Sequence, residues 1–150
     1  MTRPDDIAGL QALVAAEHAA VFGIAAMGGR LAGLDPRSPG VGDLRLQFDV
    51  HRSRRDAWTA ALVARNAAAP PSAAAYVLPP LGSAEGTLAA AAALEGRMAA
   101  AYAAALSQLG DPTLRTQVTA ALTDVARQQY ALGTFAGQPP ATAAPPLPGG

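Results

Sequence analysis

Five polar side chains sit where apolar ones belong. Helical spacing of three and four residues groups Ile7, Leu10, Val14, Glu17, Val21, Ile24, Gly28 and Leu31 on one stripe. A second stripe reads Leu44, Phe48, His51, Arg55, Trp58, Leu62, and a third reads Leu88, Ala91, Glu95, Met98, Tyr102, Leu109. The fourth reads Leu114, Val118, Ala121, Val125, Gln128, Leu132, Phe135. All four stripes carry a polar group at similar depth. This predicts one buried cluster of Glu17, His51, Arg55, Glu95 and Gln128. A lone buried carboxylate is costly, so these groups must pair with each other, with a metal or with water. Two carboxylates and an imidazole, Glu17, His51 and Glu95, could hold a single divalent cation, with Gln128 as a weak oxygen ligand. Arg55 argues for the other outcome. Its guanidinium would stand where the metal's charge would be and could fork to both carboxylates. The metal-free polar network is the expected arrangement.

Punctuation along the chain supplies the elements that would position these groups. Helix one is predicted from Asp5 or Asp6 to Leu34, between Pro4 and Asp35-Pro36. Helix two is predicted from Val41 to Ala69, stopped by Pro70-Pro71. Helix three is predicted from Ser83, an N-cap, to Leu109, with Gly110 as terminator. Helix four follows the Asp111-Pro112 start and runs to Ala136. Short connections make helices one and two, and helices three and four, antiparallel neighbours. The connection from Pro70 to Gly82 is long and proline-rich, and can span roughly 40 Å when extended. It can therefore travel the length of the bundle and start helix three parallel to helix two. Its Tyr76, Val77 and Leu78 would gain by lying on the helices, and Tyr76 could hydrogen-bond into the polar cluster. Residues 1–136 form the expected bundle. The tail, 137–150, is Pro, Ala, Gly and Thr, and is expected to be disordered.

Composition narrows the function classes. The chain has 150 residues, eleven basic and eleven acidic, for a formal net charge of zero. This opposes nucleic-acid binding through bulk charge and anchoring to an anionic membrane. Without cysteine, thiolate metal sites, disulfides and thiol nucleophiles are excluded. The amino terminus is polar and Glu17 interrupts the apolar stretch after it, so neither a signal peptide nor a membrane span is expected. A cytoplasmic location is the simplest expectation. Trp58, Tyr102 and Tyr130 read as gap fillers in an alanine-rich core. Gly28-Gly29 reads as a place for close packing or for fraying near the end of helix one. His18 should point about 100° away from Glu17, toward a helix neighbour or a subunit interface, and a surface or interface role is expected for it.

Four segments carry a resemblance. Glu17-His18-Ala19-Ala20-Val21-Phe22-Gly23, His51-Arg52-Ser53-Arg54-Arg55-Asp56, Ala74-Ala75-Tyr76-Val77-Leu78-Pro79 and Leu94-Glu95 resemble the ferritin-like superfamily. More narrowly, the chain resembles the alanine-rich ferritin-like proteins of actinobacteria, a family without an assigned function. The resemblance implies an all-α, ferritin-like four-helix bundle of two antiparallel pairs joined by a long crossover. It also implies where a di-iron centre would lie, since such a centre takes one Glu from each of two helices and a Glu-x-x-His pair from each of the others. Glu17 and Glu95 match the single carboxylates, and His51 matches one histidine. Phe48 stands where that pair needs its Glu, and Gln128 and Ala131 stand where the last pair should be. The expectation is a degenerate di-metal site, no cofactor and a non-enzymatic structural or interaction role as a homodimer. The alternative is a single divalent metal, such as iron or manganese, on Glu17, His51 and Glu95.

Overall fold

The computed structural model describes residues 4–139. Most of the predicted tail lies outside the described residues. Four helices make up the regular structure: α1 (Pro4–Leu34), α2 (Pro39–Val63), α3 (Ala84–Gln108) and α4 (Pro112–Phe135). Among the described residues there is no strand. Each later helix starts on a polar cap. Ser38 accepts from the Gly40 N–H, Ser83 from the Gly86 N–H, and Asp111 from those of Thr113 and Leu114. Those two backbone bonds hold the Asp111 carboxyl below its ordinary range.

α2 departs from expectation at both ends. It begins at Pro39, because Ser38 caps it and proline suits the first helical position. It ends at Val63 rather than Ala69. Asn66 adopts a left-handed φ of 57°, and the Asn66 and Ala67 N–H groups donate to the Val63 and Leu62 carbonyls. This pair of bonds closes a helix, and asparagine is the side chain after glycine that best tolerates the conformation. Gly137, at φ 73°, closes α4 in the same way.

The helices form two hairpins, α1–α2 and α3–α4, joined along the α1–α3 seam. Gly9 near the start of α1 meets Leu109 at the end of α3, so these two helices are antiparallel. At the other pole, Gly40 of α2 meets Leu88 of α3 and Leu31 of α1, so α2 and α3 start together and run parallel. The crossover returns along α1. Gln11 donates to the Ala68 carbonyl, His18 Nε2 bonds the Pro70 carbonyl, and Arg30 donates to that of Leu81. These staples follow α1 for roughly 28 Å of rise. His18 thus turns to the crossover. Tyr76 stacks on Phe22 at 5.4 Å between ring centroids. Its hydroxyl accepts from the Ala73 N–H and so turns onto its own segment instead of entering the polar cluster.

Leu10, Leu13, Val14, Ile24, Met27, Leu31, Leu62, Tyr102, Val118 and Leu132 form the centre of the core. By length and apolar composition, Asp5–Leu34 could cross a membrane, at a mean hydropathy of 1.5, contrary to the expectation from Glu17. In this fold its apolar face packs on α2 and α3. The tight approaches fall at Gly23 and Gly40, not at Gly28-Gly29. A Cβ at Gly23 would lie 2.5 Å from Leu94 Cδ1, whereas none of the surroundings of Gly29 comes within 4 Å. Gly23→Ala should therefore cost about 1–3 kcal/mol in urea unfolding, despite alanine's better helix propensity. Gly29→Ala should stabilise by a few tenths to about 1 kcal/mol.

The fourth seam, between α2 and α4, is the open one, with few close approaches. Three polar bridges span it: Gln128 to Asp43, Arg54 to Asp124 at 3.5 Å, and Arg65 to Asp111 at 2.7 Å. At the pole where α1 starts, buried Asp6 accepts from the Gly110 and Asp111 N–H groups and holds the entry to α4.

Candidate functional site

At mid-height three helices each deliver one fully buried ionisable side chain. Glu17 comes from α1, His51 from α2 and Glu95 from α3. All sit on stripes that are otherwise largely apolar, Arg55 beside His51 being the charged exception, so packing those stripes together brings the three side chains together. The imidazole lies between the carboxylates. His51 Nδ1 is 2.7 Å from Glu17 Oε2, and Nε2 is 3.1 Å from Glu95 Oε1. Both ring nitrogens therefore face acceptors, which is the geometry of an imidazolium donating twice. Burial alone would lower the His51 pKa. The hydrogen bonds to Glu17 and Glu95, and their charges, outweigh it and raise the pKa to about 9. The ring is a cation at neutral pH.

The network continues upward. Tyr102 donates its hydroxyl to Glu17 Oε1, and Trp58 donates its indole N–H to the Tyr102 oxygen at 2.9 Å. The two rings meet edge to face, 6.3 Å apart. Burial and the neighbouring Glu17 charge keep the Tyr102 hydroxyl protonated far above the ordinary tyrosine range. Glu95 Oε2 is buried with no hydrogen-bond partner. Reading Tyr102 and Trp58 as gap fillers missed this half of the network. The available signal was their placement two turns along the stripes from Glu95 and His51, respectively.

Two members of the expected cluster stand elsewhere. Arg55 lies about 40° around the helix from His51. Its long stem lets the guanidinium reach outward, where it pairs with Asp56 at 2.8 Å. Gln128 bonds Asp43 across the α2–α4 seam. There burial raises the Asp43 carboxyl, opposed by the Gln128 bond. The neighbouring Gln129 amide lies against Gly96 of α3. The inward direction of α4 passes between Gln128 and Gln129 at this level, so neither reaches the triad. Phe48 packs on the core edge with the Arg52 guanidinium 5.4 Å from its ring centroid.

A metal centre needs donors converging on one point at about 2.0–2.6 Å. Here the imidazole is interposed between the carboxylates and directs its two nitrogens to different oxygens. Among the described residues, no group of three His, Asp or Glu side chains is arranged to hold a metal ion. The donor set in this arrangement does not fit one. It fits an imidazolium that donates one N–H to each carboxylate.

Fold and site define an all-helical bundle with a buried carboxylate–imidazolium–carboxylate triad at its centre. The chain belongs to the family described as a domain of unknown function, DUF4439, whose model matches residues 9–150. Among solved structures it is similar to the crystal structure of a conserved hypothetical protein, rv2844, from Mycobacterium tuberculosis. The two share 30% identity over 89% of this chain and 98% of that one, with a TM-score of 0.77. No curated protein matches it.

Proposed function

We propose that the protein is a non-enzymatic, ferritin-like bundle whose degenerate di-metal site has become an ion-pair triad, and that it acts by association, as a homodimer. The observation that carries the first part is the engagement of both His51 nitrogens by Glu17 and Glu95. An imidazolium has no lone pair for a metal, and its charge offsets the carboxylates as a cation would. The two hairpins and the long crossover support the ferritin-like reading. The outer face of α4 supports association. Tyr130 is 45% exposed there, and Phe135 is 41% exposed at the helix end; large exposed aromatics favour contacts with other chains.

Metal content of untagged, chelator-free protein, followed by titration with ferrous iron, manganese and zinc, tests the site. The expected result is no stoichiometric metal and no saturable binding. A stoichiometric metal lost in both Glu17→Ala and Glu95→Ala would overturn the reading in favour of a metal-binding protein. Light scattering tests the assembly, and monomer alone at high concentration would remove the homodimer.

A further inference from the structure

We propose that the cleft between α2 and α4 binds a small carboxylate with a planar apolar body. The cleft lies in the open seam, between the Arg54–Asp124 and Arg65–Asp111 bridges. Its volume is about 480 Å³, within the usual range for small-molecule sites. Trp58, Ala57, Ala61 and Ala121 give it an apolar lining, and Arg54 and Asp124 supply opposite charges.

Arg54 determines the class of ligand. Its side chain is only 13% exposed, yet the acceptor it reaches among the described residues is Asp124, at 3.5 Å. That distance is at the limit of a hydrogen bond, and a guanidinium carries five donors in a planar fork. Asp124 is itself 60% exposed and also faces Arg127 at 3.7 Å. The fork's other donors reach no acceptor among the described residues and are not walled off from solvent, so they stay open to the cleft. A carboxylate entering the cleft could take it in bidentate fashion and displace the long contact to Asp124. One arginine beside an alanine and indole lining suits a monoanion with an apolar body better than a phosphate, which gathers several cations. The Ser53 hydroxyl and the Gln117 amide, also lining the cleft, give the carboxylate further donors.

Trp58 is the chain's single tryptophan, so its emission and its indole N–H resonance report on this cleft. The probe is benzoate, added to the full-length protein, with benzamide and inorganic phosphate as comparisons. The expected result is a saturable Trp58 response to benzoate, with benzamide and phosphate at least about tenfold weaker. Arg54→Gln should weaken benzoate by about tenfold or more, while Asp124→Asn, which removes the competing carboxylate, should tighten it roughly threefold. Ala57→Leu fills the cleft without changing charge and should abolish binding at unchanged helicity. It decides the matter if Arg54→Gln fails to fold. Equal binding of benzamide, unaltered affinity in Ala57→Leu, or no saturable response up to about 20 mM benzoate would overturn the proposal.

Discussion

His51→Leu should destabilise the protein by about 3–5 kcal/mol at neutral pH, because it strands two buried carboxylates without their shared cation. Glu17 retains the Tyr102 hydroxyl, but Glu95 loses its recorded partner, having one oxygen already without one. Urea unfolding of the variant at neutral pH measures the loss. Two comparisons give the result its meaning. Arg55→Ala removes only a partly exposed pair with Asp56 and should change stability by no more than about 0.5 kcal/mol. Replacing the whole triad with apolar residues of similar volume should recover most of the loss, since a buried ion pair is often matched by good packing. A small effect of His51→Leu would mean that water reaches the triad.

The second large effect is alkaline. The folded pKa of His51 is raised from 6.5 to about 9. The folded state therefore binds the proton more tightly than the unfolded chain does. This contribution is fully present below pH 6.5 and is lost as the pH rises through about 9. Each pKa unit is worth about 1.4 kcal/mol, so the contribution is roughly 3 kcal/mol. Above about pH 10 Tyr102 adds to the loss, because the unfolded tyrosine ionises freely while the folded one is held protonated by burial and by Glu17. Denaturation midpoints should fall steadily from pH 6.5 to pH 9, and the His51→Leu variant should lack that slope. An NMR titration of the His51 ring would show directly whether it stays protonated at pH 8. Titration near pH 6.5 would sink the imidazolium assignment.

The two effects rest on residues of unequal legibility. Proline, aspartate, serine and glycine mark the four helices in the sequence, because caps and breakers act locally. The path of the crossover was legible from a length that permits it and from Tyr76, Val77 and Leu78, expected to lie on the helices, although Val77 stays fully exposed. Glu17, His51 and Glu95 stood out because a charge on an apolar stripe has no other easy explanation. Arg55 and Gln128 stood on the same stripes, yet turn away. Stripe position fixes a side chain's direction only to within about half a residue step, and long flexible side chains use that freedom to find water or a nearer partner. Tyr102 carried the opposite ambiguity. Its ring is apolar enough to read as filler, and its hydroxyl acquires a role only when Glu17, 85 residues away, comes beside it. The early end of α2 escaped notice for a related reason. Pro70-Pro71 is a strong stop, but Asn66 in the left-handed conformation acts first.

The triad joins α1, α2 and α3 and takes nothing from α4. That helix packs on α3 and adds Val118, Val125 and Leu132 to the shared core, while its polar ties to α1 and α2 are Asp6 and the three bridges of the open seam. With few close approaches to α2, α4 is the helix expected to open first. Native-state hydrogen exchange should show α4 amides opening well before those of α1, in a sub-global event that leaves the buried ionic centre intact. The three-helix remnant would bare Trp58 along the side that α4 leaves, so the fold carries a built-in partially open form, separated from the closed one by less than the full unfolding free energy.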